Sequence, residues 1–274
     1  FSLPLNSELF YVDLKAAGET DRQLLVERHL ISRQHAGAAH ARGVAVNKQE
    51  TLAIMVNEED HLRIQVFRSG LQMQDLFEQI NQVDDALEES LGFAFHNRYG
   101  YLTACPTNVG TALRISVMLH LPALKMTGEI DKVFRAARDM HLAVRGLYGE
   151  GTEAGGDFFQ FSNQTTLGKS EHQILREFLD EAVPQFLDYE RRARQGLLKN
   201  RPIELDDKIF RAVAILKSAR TISSEETIYL LSLLRLGIHL GRTEGISTET
   251  INELFLLTQP AHLQRILQRE MDPA

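Results

Sequence analysis

The chain has 274 residues, 43% of them hydrophobic and 24% charged, with a formal net charge of −7. This composition is that of a globular protein able to build one large core or two modest layers. The acidic balance argues against a nucleic-acid surface, which needs a clustered basic excess. No run approaches the about 20 apolar residues that span a bilayer, so no membrane segment is expected. The single cysteine, Cys105, makes neither an internal disulfide nor a cysteine-based zinc site, and points to a reducing, cytoplasmic compartment. No His-Glu-x-x-His or similar spacing calls for a transition metal. The chain opens on Phe1 rather than methionine, without a leader pattern, which suggests a fragment or a processed form.

In chain order, residues 8–14 have strand composition, and a short helical stretch leads to Glu27-Arg28-His29-Leu30-Ile31-Ser32. The small-residue segment from Ala36 to Gly43 reads as a loop. Leu52 to Val56 and Leu62 to Phe67 read as two strands joined by the acidic turn Asn57-Glu58-Glu59-Asp60-His61. From Leu71 to Leu91, Leu76, Phe77, Ile80, Val83 and Leu87 recur at helical spacing, giving an amphipathic helix of about 20 residues. A short apolar strand then delivers Cys105 to a turn of Pro106, Thr107, Asn108 and Gly110, and the chain resumes as an alternating strand behind Arg114.

Thr127 to Met140 reads as a helix, Leu142 to Arg145 as a strand, Gly146 to Gly156 as a glycine-rich loop and Phe158 to Phe161 as another strand. Mixed strands and helices with hairpin neighbours predict an α+β fold, a mostly antiparallel sheet flanked by helices. From Ser170 onward the pattern is helical. Ser170-Glu171 caps a helix to about Gln195 with a kink at Pro184, another helix runs from Leu205 to near Ala219, and Ser223 and Ser247 start two more. The expected division is a sheet domain over 1–169 and a helical portion over 170–274.

Period-two alternation puts Glu59, His61, Arg63 and Gln65 on one strand face, Arg114, Ser116, Met118 and His120 on another, and Arg145 with Ala143 on a third. Arginines projecting from several strands offer rigid forks for phosphate oxygens, and Glu59 and Glu150 beside them are suited to a cationic acceptor or its proton. The combination suggests phosphoryl transfer from a nucleotide to a positively charged substrate; solvated arginines paired with neighbours remain the plainer alternative. Cys105 is open between a small buried hydrophobe and a thiolate acting electrostatically on substrate. The loop Gly149 to Gly156 lacks the ending of a P-loop and reads as a mobile cover over a site.

Three motifs then stand in order: Asn57-Glu58-Glu59-Asp60-His61-Leu62-Arg63-Ile64, Cys105-Pro106-Thr107-Asn108-Val109-Gly110-Thr111-Ala112-Leu113-Arg114, and Val144-Arg145-Gly146-Leu147-Tyr148-Gly149-Glu150-Gly151-Thr152-Glu153. Together they resemble the ATP:guanidino phosphotransferases, the family of arginine and creatine kinases. Val26-Glu27-Arg28-His29-Leu30-Ile31-Ser32, Ser162 to Glu171 and Leu256-Leu257-Thr258-Gln259-Pro260 extend the resemblance to the bacterial protein arginine kinases within it.

The resemblance implies ATP and magnesium, the metal held mainly through the ATP phosphates, with phosphate moved to the guanidinium of exposed arginines in protein substrates, a tag for regulated proteolysis. It assigns Arg63, Arg114 and Arg145 to the nucleotide phosphates and His29 to the nucleotide's side. Glu59 and Glu150 hold the guanidinium, Glu59 as general base, and Cys105 orients it. It also implies a Clp-type protease or chaperone, an activator, and a homodimer through the helical portion as partners.

Two departures bear on this. The family's Ser-Arg-x-Arg segment and small helical domain would precede Phe1, and the phosphoarginine-binding Arg-Asp-x-x-Arg-Ala motif would follow Ala274. Ala112 stands where the motif usually has glycine, a change expected to touch loop flexibility more than chemistry. Alternatives are a kinase for free arginine or another guanidino compound, and a catalytically impaired kinase-like adaptor.

Overall fold

The computed structural model describes residues 8–146 and 155–269. In chain order these form β1 (Leu9–Asp13), α1 (Glu19–Glu27), α2 (Arg33–Gly37), β2 (Gly43–Asn47), β3 (Leu52–Val56), β4 (Leu62–Val66), α3 (Met73–Glu88), β5 (Phe95–His96) and β6 (Gly100–Tyr101). Then come β7 (Ser116–His120), α4 (Pro122–Met126), α5 (Ile130–Asp139), β8 (Leu142–Gly146), β9 (Phe158–Asn163), α6 (Glu171–Arg176) and α7 (Val183–Asn200). The chain closes with α8 (Pro202–Ser218), α9 (Ser224–His239), α10 (Thr248–Leu257) and α11 (Pro260–Leu267).

All strand pairings among the described residues are antiparallel, as expected, and they fall into three sheets: β1-β2-β3-β4, β5-β6 and β7-β9-β8. The described residues separate into two compact units, one of 8–113, 165–175 and 264–269, the other of 114–146, 155–164 and 176–263.

The four-stranded sheet of the first unit is apolar on both faces. Leu52 and Ile54 pack with Leu62, Ile64 and Val66 against Val83 and Leu87 of α3, which is the stripe its three- and four-residue spacing predicts. Each such buried side chain contributes about 1.5–3 kcal/mol over the exposed state. The opposite face, with Val44, Val46, Ala53 and Met55, is covered by Val26, Leu30 and Ile31. Registers Met55↔Arg63 and Ala53↔Gln65 put Arg63 and Gln65 on this second face.

The second unit places the three-stranded sheet on helices. Phe161 is fully buried and stacks on Phe186 of α7 with ring centroids 4.5 Å apart. Glu190 of α7 caps α4, accepting the amides of Ala123 at 3.1 Å and Leu124 at 3.0 Å, and it also pairs with Arg194 at 2.7 Å. Burial pushes the Glu190 pKa up against the pull of Arg194 and those amides. Helix α9 is buried along most of its length, between Leu205, Ile209 and Ala212 of α8 and Ile251 of α10.

Several expected boundaries moved. β2 was not expected, and helix α2 runs two residues into the supposed loop that starts at Ala36, with Ser32 Oγ accepting the amide of His35 at 3.0 Å as an N-cap. The helix expected over 127–140 forms as α5, and a short helix that was not expected, α4, precedes it, ending ahead of Gly128, whose φ is 71°. The Pro184 kink is a π-helical segment, Glu177–Ala182, ahead of the proline. A proline ring crowds the carbonyl one turn back and supplies no N–H, so the ladder widens there. The expected caps did form: Ser170 and Gln173 exchange bonds of 2.9 and 3.2 Å, and Ser223 and Ser247 accept the amides of Glu226 and Thr250.

Candidate active site

In the first unit, the β3–β4 hairpin turns through Asn57, whose φ of 57° an asparagine tolerates and whose amide reaches the His61 carbonyl at 2.9 Å. This tight turn sends its two glutamates different ways. Glu58 points inward, its side chain only 7% exposed, and accepts Ser32 Oγ at 2.6 Å, the Glu59 amide at 2.8 Å and Arg63 Nη1 at 3.2 Å. Burial raises its pKa, but the Ser32 hydroxyl, the Glu59 amide, Arg63 and His35 together outweigh that, so the carboxylate sits below its ordinary value. Arg63 therefore pairs with Glu58, not with Glu59 as its sequence neighbourhood suggests. Glu59 is solvent-exposed.

The same strand face holds His29. Gln65, two residues beyond Arg63, donates to the backbone carbonyls of His29 at 2.7 Å and Leu30 at 3.2 Å. His29 itself has a left-handed φ of 59° at the end of α1, so its turn is held in a costly conformation by a neighbour on the Arg63 face.

The cysteine turn is tied to the carboxylate turn. The amide of Ala104 donates to Asp60 Oδ1 at 2.6 Å, one residue from Cys105 and one from Glu59. Cys105 is half-buried, its Sγ shares a hydrogen bond with Thr107 Oγ1 at 3.0 Å, and Pro106–Asn108 follow as one 3₁₀ turn. A distant segment pins this loop: Thr166 Oγ1 donates to the carbonyls of Thr107 and Val109 at 3.0 and 2.8 Å. The Thr166 carbonyl receives the Thr111 amide at 3.0 Å. A Cβ on Gly110 would lie 2.2 Å from that carbonyl oxygen, and φ there is 115°, so the position admits only glycine.

In the second unit, Arg145 on β8, Gln160 on β9 and Met118 on β7 form one cross-strand row. Gln160 Nε2 donates to Ser116 Oγ at 3.1 Å on the same face. The β7 direction continues back through Ile115, whose amide and carbonyl bond Asn163 at 2.7 and 3.3 Å, so period two sets the exposed Arg114 on the face of Ser116. Two arginines, a serine and a glutamine thus share one open, polar sheet face, suited to an anion. Glu150 and most of its loop lie outside the described residues.

Comparison with known proteins identifies the scaffold. Residues 2–193 match the ATP:guanido phosphotransferase C-terminal catalytic domain, and residues 202–274 the protein-arginine kinase McsB C-terminal domain. The chain belongs to the ATP:guanido phosphotransferase family. A protein-arginine kinase of Halothermothrix orenii is 47% identical, over 97% of this chain and 76% of its own. One of Symbiobacterium thermophilum is 52% identical, over 92% and 71%. Among solved structures, the duplicated taurocyamine kinase from Schistosoma mansoni, with bound transition state analog components, superposes with a TM-score of 0.60. It is 31% identical, over 67% of this chain and 26% of that one. ATP:guanido phosphotransferases use ATP as phosphoryl donor.

Sequence reasoning singled out His29, Glu59, Arg63, Cys105, Arg114 and Arg145. The structure brings His29, Arg63, Glu59 and Cys105 into the first unit's linked turns, and Arg114 and Arg145 onto one face of the second unit. Sequence reasoning missed the supporting roles of Ser32, Glu58, Asp60 and Thr166. Ser32 carried a signal as an N-cap candidate. Thr166 carried none, because its partners lie 59 and 57 residues away.

Proposed function

We infer that the protein is a protein arginine kinase, transferring the ATP γ-phosphate to the guanidinium of arginine residues in proteins. One observation carries the acceptor side: the Asp60–Ala104 bond couples an exposed glutamate turn to the cysteine loop. That linkage holds an anionic group and a polarizable one on adjoining turns, the pair a planar cation needs. The match of 202–274 to the McsB C-terminal domain favours protein arginine over a free guanidino compound as acceptor.

In this reading Glu59 takes the proton from the attacking guanidinium nitrogen, Glu150 holds the other side of the acceptor, and Cys105 orients it without bonding to it. Arg63, Arg114 and Arg145 bind phosphate oxygens and His29 lies beside the nucleotide. ATP supplies the phosphoryl group; the protein's residues position it and neutralise the charge that develops in flight. Among the described residues no group of three or more His, Cys, Asp or Glu is placed to hold a metal ion. We assign magnesium to the nucleotide phosphates, as the family resemblance implies.

The functional division at residue 169, a cytoplasmic location, a homodimer through the helical portion and a Clp-type protease or chaperone partner with an activator complete the proposal. No described helix is long and apolar enough to cross a membrane.

The test is incubation of the full-length protein with labelled ATP and a protein acceptor, free arginine being added as competitor. Acid-labile phosphate on arginine, lost in Glu59→Gln and unaffected by free arginine, supports the reading. Label on free arginine in preference to protein overturns it.

A further inference from the structure

The second unit buries a polar chain that the phosphotransfer chemistry above leaves unused. His120, the last residue of β7, places Nε2 2.9 Å from Ser232 Oγ on α9, and Ser232 Oγ donates to Asp157 Oδ2 at 2.9 Å. The three are 8%, 0% and 4% exposed. Since the serine proton goes to the carboxylate, His120 must donate from Nε2, leaving Nδ1 as a buried acceptor without a hydrogen-bond partner. Burial, then Arg235, Arg194 and His239, push the pKa of this imidazole well below its ordinary value. Lys125 Nζ stands 2.9 Å from Asp157 Oδ1, close enough for an ion pair although not aligned as a hydrogen bond.

The chain is anchored where the β8–β9 connection ends. Gly146 pairs with Phe159 and His120 with Phe158, so Asp157 sits at the root of that connection. Its amide neighbour is fixed as well: the Leu121 N–H reaches the Asp157 carbonyl at 2.9 Å. Gly156 and Asp157 both have left-handed φ, 62° and 59°, and a Cβ on Gly156 would lie 2.7 Å from Ile228 Cγ2 of α9. A non-glycine residue stays in that conformation only where its surroundings over-determine it. Alanine or leucine at 232 would serve α9 as core; a serine satisfied on both sides fixes one arrangement instead.

We propose that Ser232, with His120 and Asp157, is a positioning relay. Through it α9, which lies in the segment matched to the McsB C-terminal domain, sets the root of the β8–β9 connection for acceptor phosphorylation. The proposal rests on the reading that Glu150, seven residues before Asp157, serves the acceptor.

The test uses full-length protein. In Ser232→Ala, turnover of the protein acceptor falls about tenfold or more, while the Kd for a fluorescent ATP analogue stays within about twofold. Amide hydrogen exchange over 155–163 rises. Lys125→Ala, which alters only the outer end of the relay, shows the same split at smaller size, and stands in if Ser232→Ala does not fold. Unchanged exchange over 155–163, or acceptor turnover and nucleotide affinity falling in parallel, overturns the relay. Glu150→Gln separates the two ideas: if it leaves turnover intact, the acceptor reading fails, and the exchange result still judges the relay.

Discussion

Ser32 Oγ does two jobs at once: it accepts the His35 amide at 3.0 Å to start α2, and it donates to Glu58 Oε1 at 2.6 Å. The helix start and the carboxylate that holds Arg63 therefore depend on one hydroxyl. Ser32→Ala should cost about 1–2 kcal/mol from the cap alone, and it should also free Arg63 to move. Urea unfolding would show the first and weaker ATP binding the second. Loss of stability with unchanged ATP binding would mean that Arg63 is positioned by something else.

Glu58 also sets a pH dependence. Its folded pKa lies below the ordinary 4.5, so its stabilisation is fully present above that value and is lost as pH falls through the folded pKa. Glu58→Gln should flatten the acid limb of stability as pH falls below the ordinary carboxylate value. Urea midpoints across that range in both proteins are the check, and parallel curves would refute the assignment.

Arg63 is half-exposed, at 51%, so its ion pair with Glu58 contributes little to folding, at most about 1 kcal/mol. Arg63→Ala should leave thermal unfolding nearly unchanged and lower kcat/KM for ATP by about a hundredfold or more. Arg114→Lys should also lose activity, because an ammonium cannot reproduce a planar fork. Steady-state kinetics on the two variants test both statements.

Two neighbouring positions in the cysteine loop should respond differently. Gly110→Ala drives a Cβ into the Thr166 carbonyl and should destabilise by about 2 kcal/mol or more. Ala112 has φ 52°, so Ala112→Gly relieves about 1 kcal/mol of strain against a similar gain in unfolded-chain entropy. Its unfolding midpoint should stay within experimental scatter of the parent.

Glu190→Ala would strip Arg194 and two α4 amides of a buried acceptor. A loss of about 3 kcal/mol is expected, read by urea unfolding. Catalytic constants measured well below the unfolding midpoint should change far less than stability.

Much of this was readable from periodicity. The α3 stripe, the alternation of β4 and the serine caps follow from spacing of three to four or of two, local properties a sequence displays. Local reading failed where two distant segments settle the matter. It paired Arg63 with Glu59 because both lie on one predicted face, whereas Ser32, twenty-six residues from Glu58, draws the other glutamate inward. It missed α4, a five-residue helix directly behind β7, and began the next helix at Thr127, ahead of Gly128, whose positive φ no spacing reveals. Five residues of modest hydrophobicity, Gly43–Asn47, became a central strand only because β1 and β3 flank them.

The Thr166 pin has a consequence for the order in which the molecule assembles. The chain leaves the first unit at Leu113 and re-enters it at Thr165, with β7, β8 and β9 of the second unit made in between. The hydroxyl that fastens the cysteine loop therefore arrives only after some fifty intervening residues have been threaded into a different sheet, a contact of high sequence separation and correspondingly slow closure. During synthesis Cys105 emerges early but its loop is completed late, so a chain halted before residue 165 would hold every ligand of the β3–β4 turn and still lack a set cysteine loop.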